Sequence, residues 1–259
     1  MTLSPTYEVR PLRFSIITAV YNREHTIGQA IDSVARQTHP DVEHLIIDGA
    51  SRDGTLAAVE RHRHPGMILH SGPDKGIYDA LNKGMALASG AVIGLVHSDD
   101  YLAHQDVLAR VAHAFADPAV DAVYGDLDYV AADDTARIIR HWKSGPWSRG
   151  KLGWGWMPPH PALFLRRSVI ERHGDYDTSY RIAADYDAIL RWFGSGVIQP
   201  HYIAEVLVKM RVGGESNRSL SRVLRKSRED YRALRRNGVG GAGALMWKNL
   251  SKLPQFLRR

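Results

Sequence analysis

Six aspartates in the first hundred residues could share one piece of chemistry if the fold gathers them: Asp48, Asp53, Asp74, Asp79, Asp99 and Asp100. Asp99 and Asp100 are adjacent and follow His97-Ser98 at the end of an apolar run, residues 91–96 (AVIGLV). Two carboxylates side by side at the end of a buried strand repel each other, and a hard divalent cation is an economical way to hold them there. Such a cation would bridge phosphate oxygens and neutralise charge building on a leaving diphosphate. The plainer reading of the pair is a polar turn in which Asp100 caps the next helix.

The elements that must position these residues can be read from periodicity. Residues 14–20 (FSIITAV), 43–48 (EHLIID), 67–70 and 91–96 are short apolar runs that read as buried strands. Between them, residues 26–37, 53–62 and 77–88 carry apolar side chains at helical spacing, and a further helix over 105–115 precedes a fifth strand at 122–124. Strict strand–helix alternation predicts a mixed, mostly parallel α/β sheet with helices on both faces, whose ligands sit beyond the carboxyl ends of the strands. Asp48, Asp99 and Asp100 all fall at that edge. The second half is less regular: loops with short strands over 137–157, a strand at 162–165, and helices at 167–173 and 185–193.

A chain of 259 residues without cysteine has no disulfide, thiolate metal site or cysteine nucleophile. No apolar run reaches the length needed to span a bilayer, and residues 1–13 lack a signal-peptide core, so the expectation is a cytoplasmic protein. The net charge of +6 is unevenly placed: 12 Lys/Arg against 2 Asp/Glu from Arg218 onward, leaving residues 1–217 with a net −4. This divides the chain into a catalytic-looking body, 13–217, and a basic tail, 218–259.

The sequence resembles the family 2 glycosyltransferases, in particular the small non-processive enzymes of bacterial polysaccharide and glycolipid assembly. The resemblance rests on FSIITAVYNREHTIGQAIDSVARQ, LIIDGASRDGT, GPDKGIYDALNKGMALASGAVIGLVHSDD and IAADYDAILRW, in that order. It implies a GT-A fold, a Rossmann-like nucleotide-diphospho-sugar transferase architecture, and inverting transfer from a nucleotide sugar, UDP favoured, to a hydroxyl of a glycan or lipid-linked acceptor. Position by position, it implies that Thr18, Ala19 and Tyr21 border the nucleotide base and that Asp48 accepts a hydrogen bond from a uracil-like imide. Asp74 and Lys75 would reach the nucleotide, Asp99 the ribose or the metal, and Asp100 the metal itself, Mn2+ or Mg2+. Asp185 matches the catalytic base, with Asp187 its rival two residues on; Ala184 stands where the family has a glutamate, and Leu81 where it often has an arginine. Arg211, ahead of Gly213-Gly214-Glu215-Ser216, matches a loop that closes over the diphosphate. Trp154, Trp156 and His160 fall in the region that meets acceptor and sugar in related enzymes, although core packing is the commoner use of tryptophan. Asp53 is expected to order the Asp-Gly-Thr turn.

In the tail, Leu220, Val223, Leu224, Tyr231 and Leu234 share one helical face among arginines, and residues 245–259 interleave Trp, Leu and Phe with Lys and Arg. Such basic amphipathic helices suit an anionic membrane surface, and would make the protein peripheral on the inner face of the cell membrane; the alternative is packing back on the body. The GxGxxG pattern at 238–243 follows a helix rather than a strand and reads as a linker. Thirteen histidines contain no HExxH pair, and most are expected at the surface. Two rival functions are a sugar nucleotidyltransferase and a non-catalytic nucleic-acid-binding protein using the tail. The first lacks a glycine-rich basic loop at Tyr21-Asn22-Arg23-Glu24, and the second is disfavoured by the acidic body, so no nucleic-acid partner is expected.

Overall fold

The computed structural model describes residues 11–212, 220–241 and 243–246. The glycine loop after Arg211 and the last residues of the tail, from Trp247, lie outside the described residues.

Strand β1 (Phe14–Val20) is the centre of the first half, flanked by two parallel neighbours, β2 (Val42–Asp48) and β4 (Val92–Leu95), with β3 (Met67–Ser71) parallel to β2 beyond. Register brings Val20 opposite Asp48 and Asp48 opposite Ser71, so three strands end together at one carboxyl edge. β1 is buried along its whole length, as a strand covered on both faces must be.

Helices α1 (Ile27–Ala35), α2 (Thr55–Arg61) and α3 (Ile77–Leu87) make the crossovers. α3 approaches the sheet so closely that a Cβ on Gly84 would lie 2.5 Å from Ile17 Cγ2 and 3.2 Å from Ile47 Cγ1. Glycine is there to let backbone reach sheet.

The second half closes the sheet with reversed strands. β8 (Leu163–Arg166) runs antiparallel between β4 and the long β6 (Ala122–Val130); β9 (Pro200–Arg211) then runs parallel to β6, and the short β5 (Asp100–Leu102) pairs antiparallel with β9. β7 (Ile138–Trp142) pairs with the outer part of β6. The sequence reading foresaw only residues 122–124 of β6 and did not foresee β9. Both extend beyond the apolar segments that periodicity detects; in β6 the outer half carries Asp126 and Asp128, whose carboxylates are bonded to Tyr202 and His141. Helices α4 (Val107–Ala114), α5 (Arg149–Leu152), α6 (Arg167–His173), α7 (Ala184–Gly194) and α8 (Leu220–Arg236) complete the chain.

α8 packs against α7. Asp230, Ala233 and Leu234 are buried there, whereas Leu224 and Tyr231 point outward at 63% and 42% exposure. The single apolar face expected of this helix is therefore divided: its buried side is formed by Ala233 and Leu234, and the exposed side mixes Leu224 and Tyr231 with Arg225, Arg228 and Arg235. Among the described residues, no helix is long and apolar enough to cross a membrane.

Candidate active site

The carboxyl edge of β1, β2 and β3 forms the first corner. Asp48 is 1% exposed and its carboxylate accepts the backbone N–H of Ser51, 3.2 Å from each oxygen, and the Ser71 hydroxyl at 2.7 Å. It lines an open cleft of about 400 Å³ with Ser71, Gly72, Pro73 and Lys83. Two non-glycine residues here hold positive φ, Asn22 at 50° and Ala50 at 62°, a conformation that persists only where surrounding bonds impose it. For Asn22 those bonds are visible: its N–H donates to Ser51 Oγ at 2.9 Å and its Oδ1 accepts from Arg52 N at 2.9 Å. Asp74 folds back over this corner, accepting Gly76 N–H at 2.8 Å, and a side chain on Gly49 would collide with its carboxylate. Tyr21 is half exposed beside Gly49.

Not every residue of the expected nucleotide set turns toward the cleft. Thr18 is fully buried and its Oγ1 is bonded to His44 Nε2 at 2.9 Å; Ala19 packs into the core between β1 and α3. Lys75 is exposed, with its backbone N–H on Asp79 at 3.1 Å, while Lys83 pairs with Asp79 at 2.9 Å. Asp53 orders its own turn, accepting Thr55 N at 3.0 Å and the Thr55 hydroxyl.

The second corner is Asp99-Asp100, at the start of β5. Asp100 is 1% exposed, and neither carboxylate oxygen has a hydrogen-bond partner. Burial pushes its pKa well above the usual carboxylate range, the Asp99 charge pushes the same way, and Arg211 opposes both. Arg211 arrives on β9 one residue past Met210, the register partner of Asp100, and donates to the Asp99 carbonyl at 2.5 Å and to Gln29 Oε1. An unpartnered carboxylate buried this deeply costs several kcal/mol if left charged and uncompensated. Among the described residues no group of three His, Cys, Asp or Glu side chains is arranged to hold a metal by itself.

The third corner is Asp185, in the first turn of α7. Its carboxylate is 19% exposed; His160 Nδ1 lies 3.2 Å from Oδ2, and the Tyr78 hydroxyl 3.3 Å from Oδ1 while also donating to the Ile182 carbonyl at 2.7 Å. His160 Nε2 is in turn 2.9 Å from His97 Nε2. His97 directly precedes Ser98-Asp99-Asp100, so this line of side chains joins the second corner to the third. Loss of hydration pushes the pKa of His97 down to about 3, with His160 acting in the same direction and Asp185 against it. Tyr129, from the outer half of β6, lies within electrostatic reach of both Asp100 and Asp185, and its hydroxyl is pushed up by burial above all. Asp187 faces elsewhere: fully buried, it pairs with Arg191 Nε at 2.9 Å and accepts from Asn237 at 3.0 Å.

Of the two tryptophans, Trp154 is 61% exposed, and Trp156 sits among Tyr124, Trp147 and Phe193 with its indole N–H on the Ser144 carbonyl at 2.8 Å. Most histidines are expected at the surface; His44, which is fully buried, and His97, whose Nδ1 is shut off from solvent, are two that are not. Tyr78, His97 and Tyr129 escaped the sequence reading. His97 carried one signal, its place immediately before two acids at a strand end; the other two become neighbours only through the packing of α3 and β6.

A half-parallel sheet with acids at its carboxyl edge and reversed strands completing the far side is the GT-A arrangement of glycosyltransferases. The chain belongs to glycosyl transferase family 2, whose model matches residues 15–174. It is 32% identical over 209 residues to a PGL/p-HBAD biosynthesis glycosyltransferase of Mycobacterium bovis, covering 79% of each chain. It is 31% identical over 194 residues to an uncharacterized glycosyltransferase of Mycobacterium tuberculosis, covering 74% of this chain and 70% of the relative. Among solved structures it resembles a mannosyltransferase from Pyrobaculum calidifontis in complex with GDP-Man and Mn2+, with TM-score 0.66 at 19% identity over 95% of this chain and 72% of that one. TarS 1-349 of S. aureus in complex with UDP-GlcNAc gives TM-score 0.66 at 19% identity, covering 88% and 66%. The chain spans 39% of the longer TarS chain. At such identities the structures establish the fold, and family membership establishes a glycosyltransferase rather than a nucleotidyltransferase or a nucleic-acid-binding module.

Proposed function

We propose that the protein transfers a sugar from a nucleotide-diphosphate sugar, UDP favoured, to a hydroxyl of a glycan or lipid-linked acceptor, with inversion at the anomeric carbon and Asp185 as general base. The observation that carries this reading is Asp100: a buried carboxylate with both oxygens unpartnered, placed at the same sheet edge as Asp48. Asp100, with Asp99 beside it, would hold a divalent cation, Mn2+ or Mg2+, whose Lewis acidity supplies charge neutralisation for a departing diphosphate.

The chain's own residues account for the rest. Asp48 is pre-oriented by Ser51 and Ser71, leaving lone-pair capacity for one imide N–H of a base in the adjoining cleft. Tyr21 offers a half-exposed ring beside Gly49, where the Asp74 carboxylate also lies, and the exposed Lys75 follows Asp74 in the chain. Arg211 contributes a fixed positive charge near the phosphates. Asp185 takes the proton of the acceptor hydroxyl as that oxygen attacks, and a single base suffices because no covalent intermediate is needed. Trp154, the exposed tryptophan, is the better placed of the two to stack on an acceptor ring, and His160 acts beside Asp185.

The outward face of α8 supports a peripheral membrane partner, since Leu224 and Tyr231 are exposed among Arg225, Arg228 and Arg235. Sedimentation with phosphatidylglycerol but not phosphatidylcholine vesicles, lost in Arg228→Glu/Arg235→Glu, is the expected result; equal recovery with both lipids would remove the membrane from this reading.

The test of the site is calorimetric titration of UDP, GDP and dTDP with and without Mn2+, on the wild type and Asp100→Ala. Cation-dependent binding of one nucleotide, absent in the variant, is expected. No binding of any nucleotide under either condition would overturn the donor assignment.

A further inference from the structure

The line His97–His160–Asp185 has a direction that hydrogen-bond bookkeeping determines. The 2.9 Å contact between the two Nε2 atoms holds a single proton, so one ring donates and the other accepts. His97 Nδ1 is shut off from solvent and has no partner. If His97 carried its proton on Nδ1, a buried N–H would be left unmade, whereas a bare Nδ1 leaves only an unused lone pair. The lesser penalty puts the His97 proton on Nε2.

His160 must then accept at Nε2, which leaves its own proton on Nδ1, 3.2 Å from Asp185 Oδ2. We propose that His160 is a positioning residue for the general base: held in its Nδ1–H tautomer by His97, it donates to Asp185 and turns the carboxylate toward the acceptor. This deepens the reading of Asp185 as base and rests on it.

In the transfer step the acceptor O–H bond breaks and its proton passes to a carboxylate oxygen of Asp185. The acceptor oxygen bonds to the anomeric carbon, and the bond from that carbon to the diphosphate oxygen breaks, its electron pair leaving with the diphosphate. His160 and His97 keep their protons throughout. Their part is to keep one carboxylate oxygen occupied by an N–H, and so to limit the rotation of the side chain before the acceptor arrives. This is how a neighbour that never touches substrate raises kcat. Tyr78, from α3, lies 3.3 Å from the other oxygen of the same carboxylate.

The tautomers can be read without any turnover. Long-range 1H–15N spectra of protein labelled with 15N-histidine, assigned through His160→Asn and His97→Asn, should show His97 protonated on Nε2 and His160 on Nδ1. A His160 proton on Nε2 would overturn the proposal.

Kinetics give the second readout, using nucleotide release from whichever of UDP-glucose, UDP-N-acetylglucosamine and GDP-mannose is turned over. His160→Ala should lower kcat roughly 10- to 100-fold with donor KM nearly unchanged, in line with the loss of residues that orient a reacting group. His160→Asn, whose amide N–H falls where Nδ1 was, should recover most of it. Wild-type kcat in His160→Ala, or no recovery in a folded His160→Asn, would also overturn the proposal. Asp185→Asn run in parallel separates the two ideas. Retained turnover there removes Asp185 as base, while its loss beside an unaffected His160→Ala removes only the role given to His160.

Discussion

Glu229, on α8, caps the helix that carries Asp185: its Oε2 accepts the backbone N–H of Ala183 at 3.0 Å, and that of Ile182 at 2.8 Å. Ala183 is the N-cap of α7, so a carboxylate from another helix fixes the two backbone N–H groups at the point where the chain enters α7. The tail helix is thereby part of the site's scaffold whatever its outer face meets.

Replacing Glu229 by Ala should cost about 1–3 kcal/mol, the usual cost of leaving backbone donors unmet, and should lower kcat by loosening the start of α7. Chemical denaturation and nucleotide-release kinetics check the two effects. An unchanged midpoint would mean that water replaces the carboxylate without loss.

Asp100→Asn should separate stability from binding. The wild-type carboxylate is buried without partners, so its removal should raise the cation-free unfolding free energy by roughly 1–3 kcal/mol. Cation-dependent nucleotide binding should vanish in the same variant. Thermal melts in EDTA and with Mn2+ plus UDP test both, and a cation-free destabilisation would contradict the burial argument.

Stability should fall as pH drops below about 6.5, in part through His44. Burial, and then the neighbouring His64, push the His44 pKa down to about 3 from 6.5. Between those values the unfolded chain binds a proton that the folded state refuses, so stability rises with pH across this window and is lost toward its acid end. One such group contributes a slope of about 1.4 kcal/mol per pH unit. Guanidinium titrations at pH 7, 6 and 5 should show this slope reduced by one proton in His44→Asn, with Thr18 left to find another partner.

Gly84→Ala should destabilise although alanine is the better helix former. Its methyl would sit 2.5 Å from Ile17 Cγ2, and overpacking of this kind costs about 1–3 kcal/mol, more than the gain of about 1 kcal/mol in helix propensity. Combining it with Ile17→Ala, which removes the clashing Cγ2, should cost less than the sum of the two single variants, measured by denaturant midpoint.

The first half of the molecule was legible from residue pattern because its determinants are local. Short apolar runs such as FSIITAV and AVIGLV can only be strands buried on both faces, and the acids that end them must then share an edge. The edge positions of Asp48, Asp99 and Asp100 are read that way, and Asp185 is proposed from the ordered motifs. What the pattern left undecided depends on contacts between distant segments. Tyr78 and Ile182, 104 residues apart, meet only when α3 and the start of α7 pack together. His97 and His160 become a pair because β4 and β8 lie side by side, and β8 runs the opposite way. Thr18 and Trp156, plausible at the site by position, turned inward because a hydroxyl and an indole N–H found buried partners in His44 and Ser144. Composition distinguished the basic tail, but only tertiary packing could show that one of its two acids, Glu229, holds the backbone at the start of the helix that carries Asp185. The reason is physical: strand and helix periodicity is written over a few residues, whereas the direction and partner of a polar side chain are decided by whatever the folded chain brings within about 3 Å of it.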